Sequence, residues 1–398
     1  GRTNFGWRNN LACIQLSSGK LNEWNPDLGG EVLDVVIDQG RIFAGGYFSS
    51  VQISSSPINR NLVASWLLSD GSLTAWNPQF TGSSVEDLLV EQDTVYAAGT
   101  FSSVNGSVRN NLVRLDGTSG QVHDWDVSTN CTVNTISRQN DELMIGGCFS
   151  LSHYYQRQRL MAYRASTGRV FNWHPLVNSS ILALEHTNSR LFVGGQFNDI
   201  SGTPHSGIAR FDLSLLSDTA DTWDPGLFYQ NNYYSVTIHD MTTNGSNLII
   251  AGTFDSLGTV KRLNLAEISQ ADGSPTSWNP DMNGPVYCVA AQSGKVLAGG
   301  SFTRGSFRER YFIAGLRHST KSVLDWKPTV NSAVYDLSVA GNRLYLAGGF
   351  SEVESVPRWG SAAYDFPSGT LSNWDPNFNV SFGNGTLYSI FASGDKVY

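Results

Sequence analysis

Charge is scarce in this 398-residue chain: Asp, Glu, Lys and Arg together make up 15%. Long surface helices laced with ion pairs need more than that, and disorder needs fewer aromatics than the 12% found. No run of Lys or Arg occurs and the net charge is −8, which argues against nucleic acid or an anionic membrane surface as partner. No stretch approaches the roughly 18 apolar residues of a membrane span, so membrane insertion is not expected. Four cysteines do not make a disulfide scaffold, and without a Cys-x-x-Cys pair a structural zinc is not expected. No segment holds a 3.6-residue period for three turns, which excludes a helical solenoid.

What is present is a repeat. Trp-x-Pro occurs at Trp24, Trp76, Trp173, Trp223, Trp278, Trp326 and Trp374, and an eighth copy at Trp125 has Val127 in place of the proline. A second motif, small-Gly-x-Phe, runs in phase through Gly46, Gly99, Gly147, Gly195, Gly252, Gly300 and Gly348. Between these anchors the pattern has period two, as in Val334–Val339, and hairpin turns fall at Gly341-Asn342, Gln39-Gly40, Asn188-Ser189, Ser293-Gly294 and Ser393-Gly394. Four short antiparallel strands per unit predict an all-β, eight-bladed β-propeller of four-stranded blades in a single domain over 1–398. The chain opens in a third strand and stops inside a second one. The closing blade is therefore expected to be shared between N- and C-terminal strands, with the natural chain continuing past Tyr398. Gly1 is not a start methionine, which is compatible with a leader already removed.

The repeated residues read as structure. Proline ends the outer strand, the motif glycine lets blades approach, and Trp and Phe fill the wedge between blades. An arginine at Arg8, Arg60, Arg109, Arg262 and Arg358 recurs too often to serve one ligand and is assigned to packing.

Ala98 to Leu112 and Trp76-Asn77-Pro78 resemble the signature of the delta-sixty repeat family of β-propellers. The resemblance extends over all eight repeats. It implies a propeller in secreted or surface-attached, often multidomain, proteins, and it brings no catalytic motif to carry over.

Catalytic signatures are missing. The seven histidines show no metal spacing, and there is no nucleophile elbow, phosphate loop or dinucleotide fingerprint. No cofactor, metal or catalytic residue is assigned. Cys131 and Cys148 flank a hairpin centred on Gln139-Asn140, which places them within cross-strand disulfide reach, whereas Cys13 and Cys288 fall in different blades as core residues. Asn105, Asn130, Asn178, Asn244, Asn379 and Asn384 head glycosylation sequons in expected loops.

Function is expected where loops depart from the repeat. Three do: 152–159 with Tyr154, Tyr155, Arg157 and Arg159; 227–234 with Tyr229, Tyr233 and Tyr234; and 304–310 with Arg308 and Arg310. Tyr and Arg are favoured at interfaces, and Tyr stacks on sugars. The leading expectation is an extracellular, non-catalytic module for adhesion or matrix assembly, bound to other extracellular proteins or glycans, as an oligomer or within a larger assembly. A lectin-like propeller and a glycan-active enzyme with an axial site are the alternatives.

Overall fold

The computed structural model describes residues 10–11, 14–15, 24, 26–52, 57–152, 155–187, 189–215, 217–230, 235–292, 295–305, 308–317, 324–366, 368–376, 386–393 and 396–397. Among these, all regular structure is strand; no helix is present, and so none is long and apolar enough to cross a membrane. The chain divides into two compact units. One comprises Gly1–Arg109, Arg114–His123 and Val330–Tyr398, and the other Asn110–Val113 and Asp124–Thr329.

In the first unit, Val32–Asp38, Arg41–Gly46 and Val63–Leu67 form an antiparallel meander. Phe80–Glu91 pairs with Thr94–Val104, and Val334–Ala340, Arg343–Gly348, Ser361–Asp365 and Thr370–Leu371 form a four-stranded sheet. Ile14–Gln15 pairs with Lys396–Val397, which pairs in turn with Ala392–Ser393. N-terminal and C-terminal strands thus share one sheet, with Ile14 opposite Val397. The second unit repeats the meander four times, with first strands Val133–Gln139, Ile181–Thr187, Thr237–Asn244 and Val286–Gln292. Each of these sheets is open.

Two features depart from the sequence reading. The fourth strand is mostly reduced to one bridge, such as Trp66–Leu73, Tyr163–Val170 or Ile268–Pro275. An Asx turn precedes it: Asp70 binds Ser72, and Asp272 binds Ser274. The Trp that follows then leaves the sheet for the wedge, and a Pro that lacks an N–H ends the pairing. In addition, a small hairpin arm stands between second and third strands, as in Ser50–Gln52 with Pro57–Asn59 and Glu352–Val353 with Val356–Pro357.

The wedge residues pack as expected. Trp76 meets Phe43 of one sheet edge-on and donates its indole N–H to Asp116 O after the next. Trp173 packs on Phe211, and Trp223 on Phe192. Each is essentially fully buried, a contribution of about 1.5–3 kcal/mol per side chain.

The motif glycine has a different duty from the one expected. A Cβ on Gly46 would lie 2.1 Å from Glu31 O, and one on Gly252 2.1 Å from Thr237 O, both in the same sheet's own first-strand segment. The residue before it governs the approach of neighbouring sheets: a Cβ on Gly45 would meet Val85 Cγ1 at 2.7 Å, and one on Gly194 would meet Ile238 Cγ2 at 2.7 Å.

Candidate functional site

Every complete first strand carries a β-bulge at one place. Val32 faces Gly46 and Asp34 faces Gly45, which leaves Leu33 as the extra residue. The same step leaves out Glu86, Asn134, Leu182, His239, Tyr287 and Tyr335. A bulge re-aims a side chain and sharpens the local twist.

The residue after the bulge fixes it. Asp34 accepts the Val35 N–H at 2.8 Å on Oδ1 and, from the next sheet, the Leu88 N–H at 2.8 Å on Oδ2. In the second unit Asp240 does the same with Met241 and Val289, both at 2.8 Å. Asp336 accepts Leu337 N–H at 2.7 Å, Ile390 N–H at 2.7 Å and the Ser389 hydroxyl at 3.1 Å. These carboxylates tie consecutive sheets together beside the bulges. Burial outweighs the amide hydrogen bonds and raises Asp34 to about 6; it raises Asp336 as well. Elsewhere other groups span the gap: Asn134 donates to Ile181 O at 3.0 Å, and Glu185 accepts the Thr243 N–H at 2.9 Å.

By this register Tyr388, two residues before Ile390, stands as Glu86 stands before Leu88. In the first unit the bulge residues come together with the residue after the motif glycine. Tyr335 and Tyr388 stack with ring centroids 5.5 Å apart and planes at 25°. Tyr47 is 47% exposed, and its hydroxyl lies 3.5 Å from Glu86 Oε1, at the edge of hydrogen-bond reach. Glu86 also accepts the Ser84 hydroxyl at 2.7 Å. Burial, then the charges of Glu86 and Glu31 and the phenol of Tyr388, raise the Tyr47 hydroxyl above its ordinary value. Aromatic and acidic side chains thus lie in one neighbourhood of this unit, with the Tyr388 phenol near enough to act on Tyr47. In the second unit the corresponding positions give His239 edge-on to Tyr287 at 5.3 Å, with the Ser301 hydroxyl 3.0 Å from that of Tyr287. Burial lowers His239, so it is neutral at pH 7.

Ser137 Oγ lies 2.8 Å from His186 Nδ1, but His186 Nε2 has no partner among the described residues, and burial lowers the ring to about 4. Among the described residues no third group orients the imidazole as a nucleophile's base requires. Among the described residues no cluster of His, Cys, Asp or Glu is arranged to hold a metal.

Among the described residues, no contact joins Arg157 and Arg159, Tyr229 and Arg310 into one site. Tyr154, Tyr233 and Tyr234 lie outside the described residues, as do Asn379, Asn384 and Cys13. Loops 152–159 and 304–310 keep the repeat's backbone: Leu151–Ser152 pairs with Tyr155–Gln156, and Arg304–Gly305 with Arg308–Glu309. Arg157 and Arg310 are buried and occupy the recurrent arginine position. Their amides bind Ser150 O and Thr303 O, as the amide of Arg60 binds Ser49 O and that of Arg358 binds Ser351 O. The guanidinium of Arg310 donates to Leu324 O at 2.7 Å, as those of Arg60 and Arg262 donate to Thr74 O and Thr276 O. Arg159 is half-buried and donates to Val177 O. Tyr229 is half-buried against the core of its unit, next to Phe228, which pairs with Ser256.

Cys131 and Cys148 form a disulfide with Cα atoms 5.7 Å apart. The turn between them is centred on Asn140-Asp141, one residue later than expected, and the bulge offsets the slip. Cys288 is buried outside the disulfide. Among the sequons, Asn105 and Asn244 donate their amides to Gly120 O and Glu267 Oε1, both at 2.9 Å. Asn130 and Asn178 belong to a repeated clasp, five residues after the wedge Trp. Each accepts two backbone N–H groups of the arm and donates to a side chain there, as Asn283 and Asn331 also do.

Sequence reasoning missed Tyr47, Glu86, Tyr335 and Tyr388. A signal was available: each complete hairpin puts the bulge residue thirteen positions before the motif glycine, from Leu33 and Gly46 to Tyr335 and Gly348. At that fixed offset the side chain varies while its surroundings do not.

Comparison with known proteins gives the class. The family described as "domain of unknown function (DUF5122) beta-propeller" matches residues 93–121 and 187–218. No curated protein matches the chain. Similar solved structures include the computationally designed Ika8 protein (13% identity, TM-score 0.48, covering 84% of this chain and 96% of that one). The WD40 β-propeller domain of Doa1 is another (12%, 0.47, 80% and 90%), and a chain of the Mitotic Checkpoint Complex a third (14%, 0.46, 80% and 91%). The chain has an all-β, propeller-like fold of antiparallel sheets.

Proposed function

We propose that the chain is an eight-bladed propeller of the delta-sixty repeat kind. In this reading the N- and C-terminal strands close it, and it serves as an extracellular, non-catalytic binding module. The observation that carries this is the use made of the acids beside the bulges: Asp34, Asp240 and Asp336 each commit one carboxylate oxygen to the next amide of their own strand and the other to an amide of the neighbouring sheet segment. They build a frame, whereas the half-buried bulge positions and the more exposed Tyr47 and Tyr388 carry the side chains suited to contact. The pairing of Ile14 with Val397 supports closure, and the Cys131–Cys148 disulfide suits an oxidising compartment. Partners are other extracellular proteins.

The test is saturable binding of the secreted, labelled chain to cells. Loss of binding after protease treatment of the cells supports the reading. Loss after glycosidase treatment alone moves the assignment to a lectin-like propeller, and absence of saturable binding contradicts both.

A further inference from the structure

We propose that the surface formed by Tyr47, Glu86, Tyr335 and Tyr388 binds an arginine side chain of a partner protein. This rests on the binding-module reading above and names the chemistry of the contact.

The negative charge of this surface is unmet. Among the described residues, the hydrogen bonds of Glu86 are with the hydroxyls of Ser84 and Tyr47, neither of which neutralises it. Glu31 is exposed, and its charge bears on Tyr47 as that of Glu86 does. Aromatic faces carry the negative pole of their quadrupole, so the stacked Tyr335 and Tyr388 add to the same potential. Tyr388 is 47% exposed, which leaves ring surface for a ligand.

The surface is also held in place. The Glu86 backbone lies two residues before Leu88, pinned by Asp34, and Tyr388 lies two residues before Ile390, pinned by Asp336. A contact surface fixed in advance loses little entropy on binding. Nothing comparable stands at the matching positions of the second unit, where His239, Tyr287 and Ser301 bring no carboxylate.

Arginine fits better than the other cations. Its planar guanidinium stacks on a tyrosine face while its edge donates two hydrogen bonds to a carboxylate, and it is less strongly hydrated than an ammonium. A neutral sugar could stack on the tyrosines and donate hydroxyls to the carboxylate, but it brings no positive charge to neutralise it.

The test uses the full chain and a short fluorescent glycine–serine peptide carrying arginine, followed by fluorescence polarisation. Matched peptides carrying lysine or glutamate, and a set of neutral oligosaccharides, are titrated beside it. The arginine peptide is expected to bind saturably, more tightly than the lysine peptide, and more weakly as salt rises. Glu86→Gln and Tyr388→Ala should each weaken it about tenfold, a loss in the range of an interface hot spot. Tyr388→Phe keeps the ring and should retain binding, which separates lost contact from lost fold. No saturable binding of the arginine peptide, equal binding by Glu86→Gln, or binding of a neutral oligosaccharide alone would overturn the proposal. If Glu86→Gln still binds cells as the parent does, the arginine site is wrong and the module reading stands. If the parent itself does not bind cells, it is the module reading that fails.

Discussion

The carboxylate of Asp34 holds the backbone N–H of Leu88, in the next sheet, at 2.8 Å while its other oxygen holds Val35. Two residues before Leu88 stands Glu86, so one acid joins two sheets and sets the position of a second, half-buried one. Asp34→Ala would leave the Leu88 N–H unpaired next to a void. Chemical denaturation should show a loss of about 1–3 kcal/mol. An unchanged midpoint would mean that the contact contributes nothing to stability.

The same acid predicts a pH dependence. Burial raises Asp34 in the folded chain to about 6 from an ordinary value of 3.8. The folded state therefore holds its proton more tightly than the unfolded state. The stability linked to this group is fully present below the unfolded value and is lost as pH rises through the folded one. Between pH 4 and about 6 the contribution of Asp34 should fall with rising pH, read as the difference in denaturation midpoint between the parent and Asp34→Asn across that range. Asp336 is raised for the same reason and adds to the slope in the same direction. Isotope-edited infrared or NMR titration of the Asp34 carboxyl measures the shift directly.

His205 stands where most repeats have arginine, and its amide makes the repeat's bond, to Asn198 O. It is buried, yet neither ring nitrogen has a partner among the described residues. In four other repeats a guanidinium at this place reaches a carbonyl fourteen residues on, as Arg262 reaches Thr276 O at 2.7 Å. His205→Arg should restore that bond and raise stability by about 1 kcal/mol, read as a higher thermal midpoint. Burial lowers the His205 pKa, so the parent should lose stability as pH falls through the unfolded value, and the arginine variant should lose less.

Removing the disulfide by Cys131→Ser with Cys148→Ser should cost about 2–4 kcal/mol, since the bridge closes a loop with a sequence separation of 17. Thiol counting without reductant should find neither Cys131 nor Cys148 reactive in the parent. A midpoint insensitive to reductant would contradict a stabilising bridge.

Much of this was legible in the residues. Trp76, Trp173 and Trp223 sit in the wedges their spacing announced, and Cys131 meets Cys148. These signals are strong because each recurs or is local. The bulge was not legible on its own, because Val32-Leu33-Asp34-Val35-Val36-Ile37 shows no period that marks the inserted residue, and its fixed offset from the motif glycine takes on meaning only once the strand pairing is known. Asp34, Asp240 and Asp336 looked like ordinary polar positions, since their partners are amides some fifty residues away. Arg157 and Arg310 were read apart from the arginine series because their loops differ in side chains, while the backbone of those loops keeps the repeat. The Asn clasp was in plain view five residues after Trp125, Trp173, Trp278 and Trp326, partly hidden by the sequons that overlap it.

Closure of the propeller by its two ends is the claim on which the frame depends, and Ile14 opposite Val397 is where it is exposed to test. The double variant Ile14→Cys with Val397→Cys is to be oxidised in the folded protein and read by mass spectrometry and denaturation. The account predicts an intramolecular bridge between the two introduced thiols in nearly all molecules, with a higher unfolding midpoint because the closed loop is very long. Two introduced thiols that stay reduced in the folded chain, or that pair only between molecules, would contradict it.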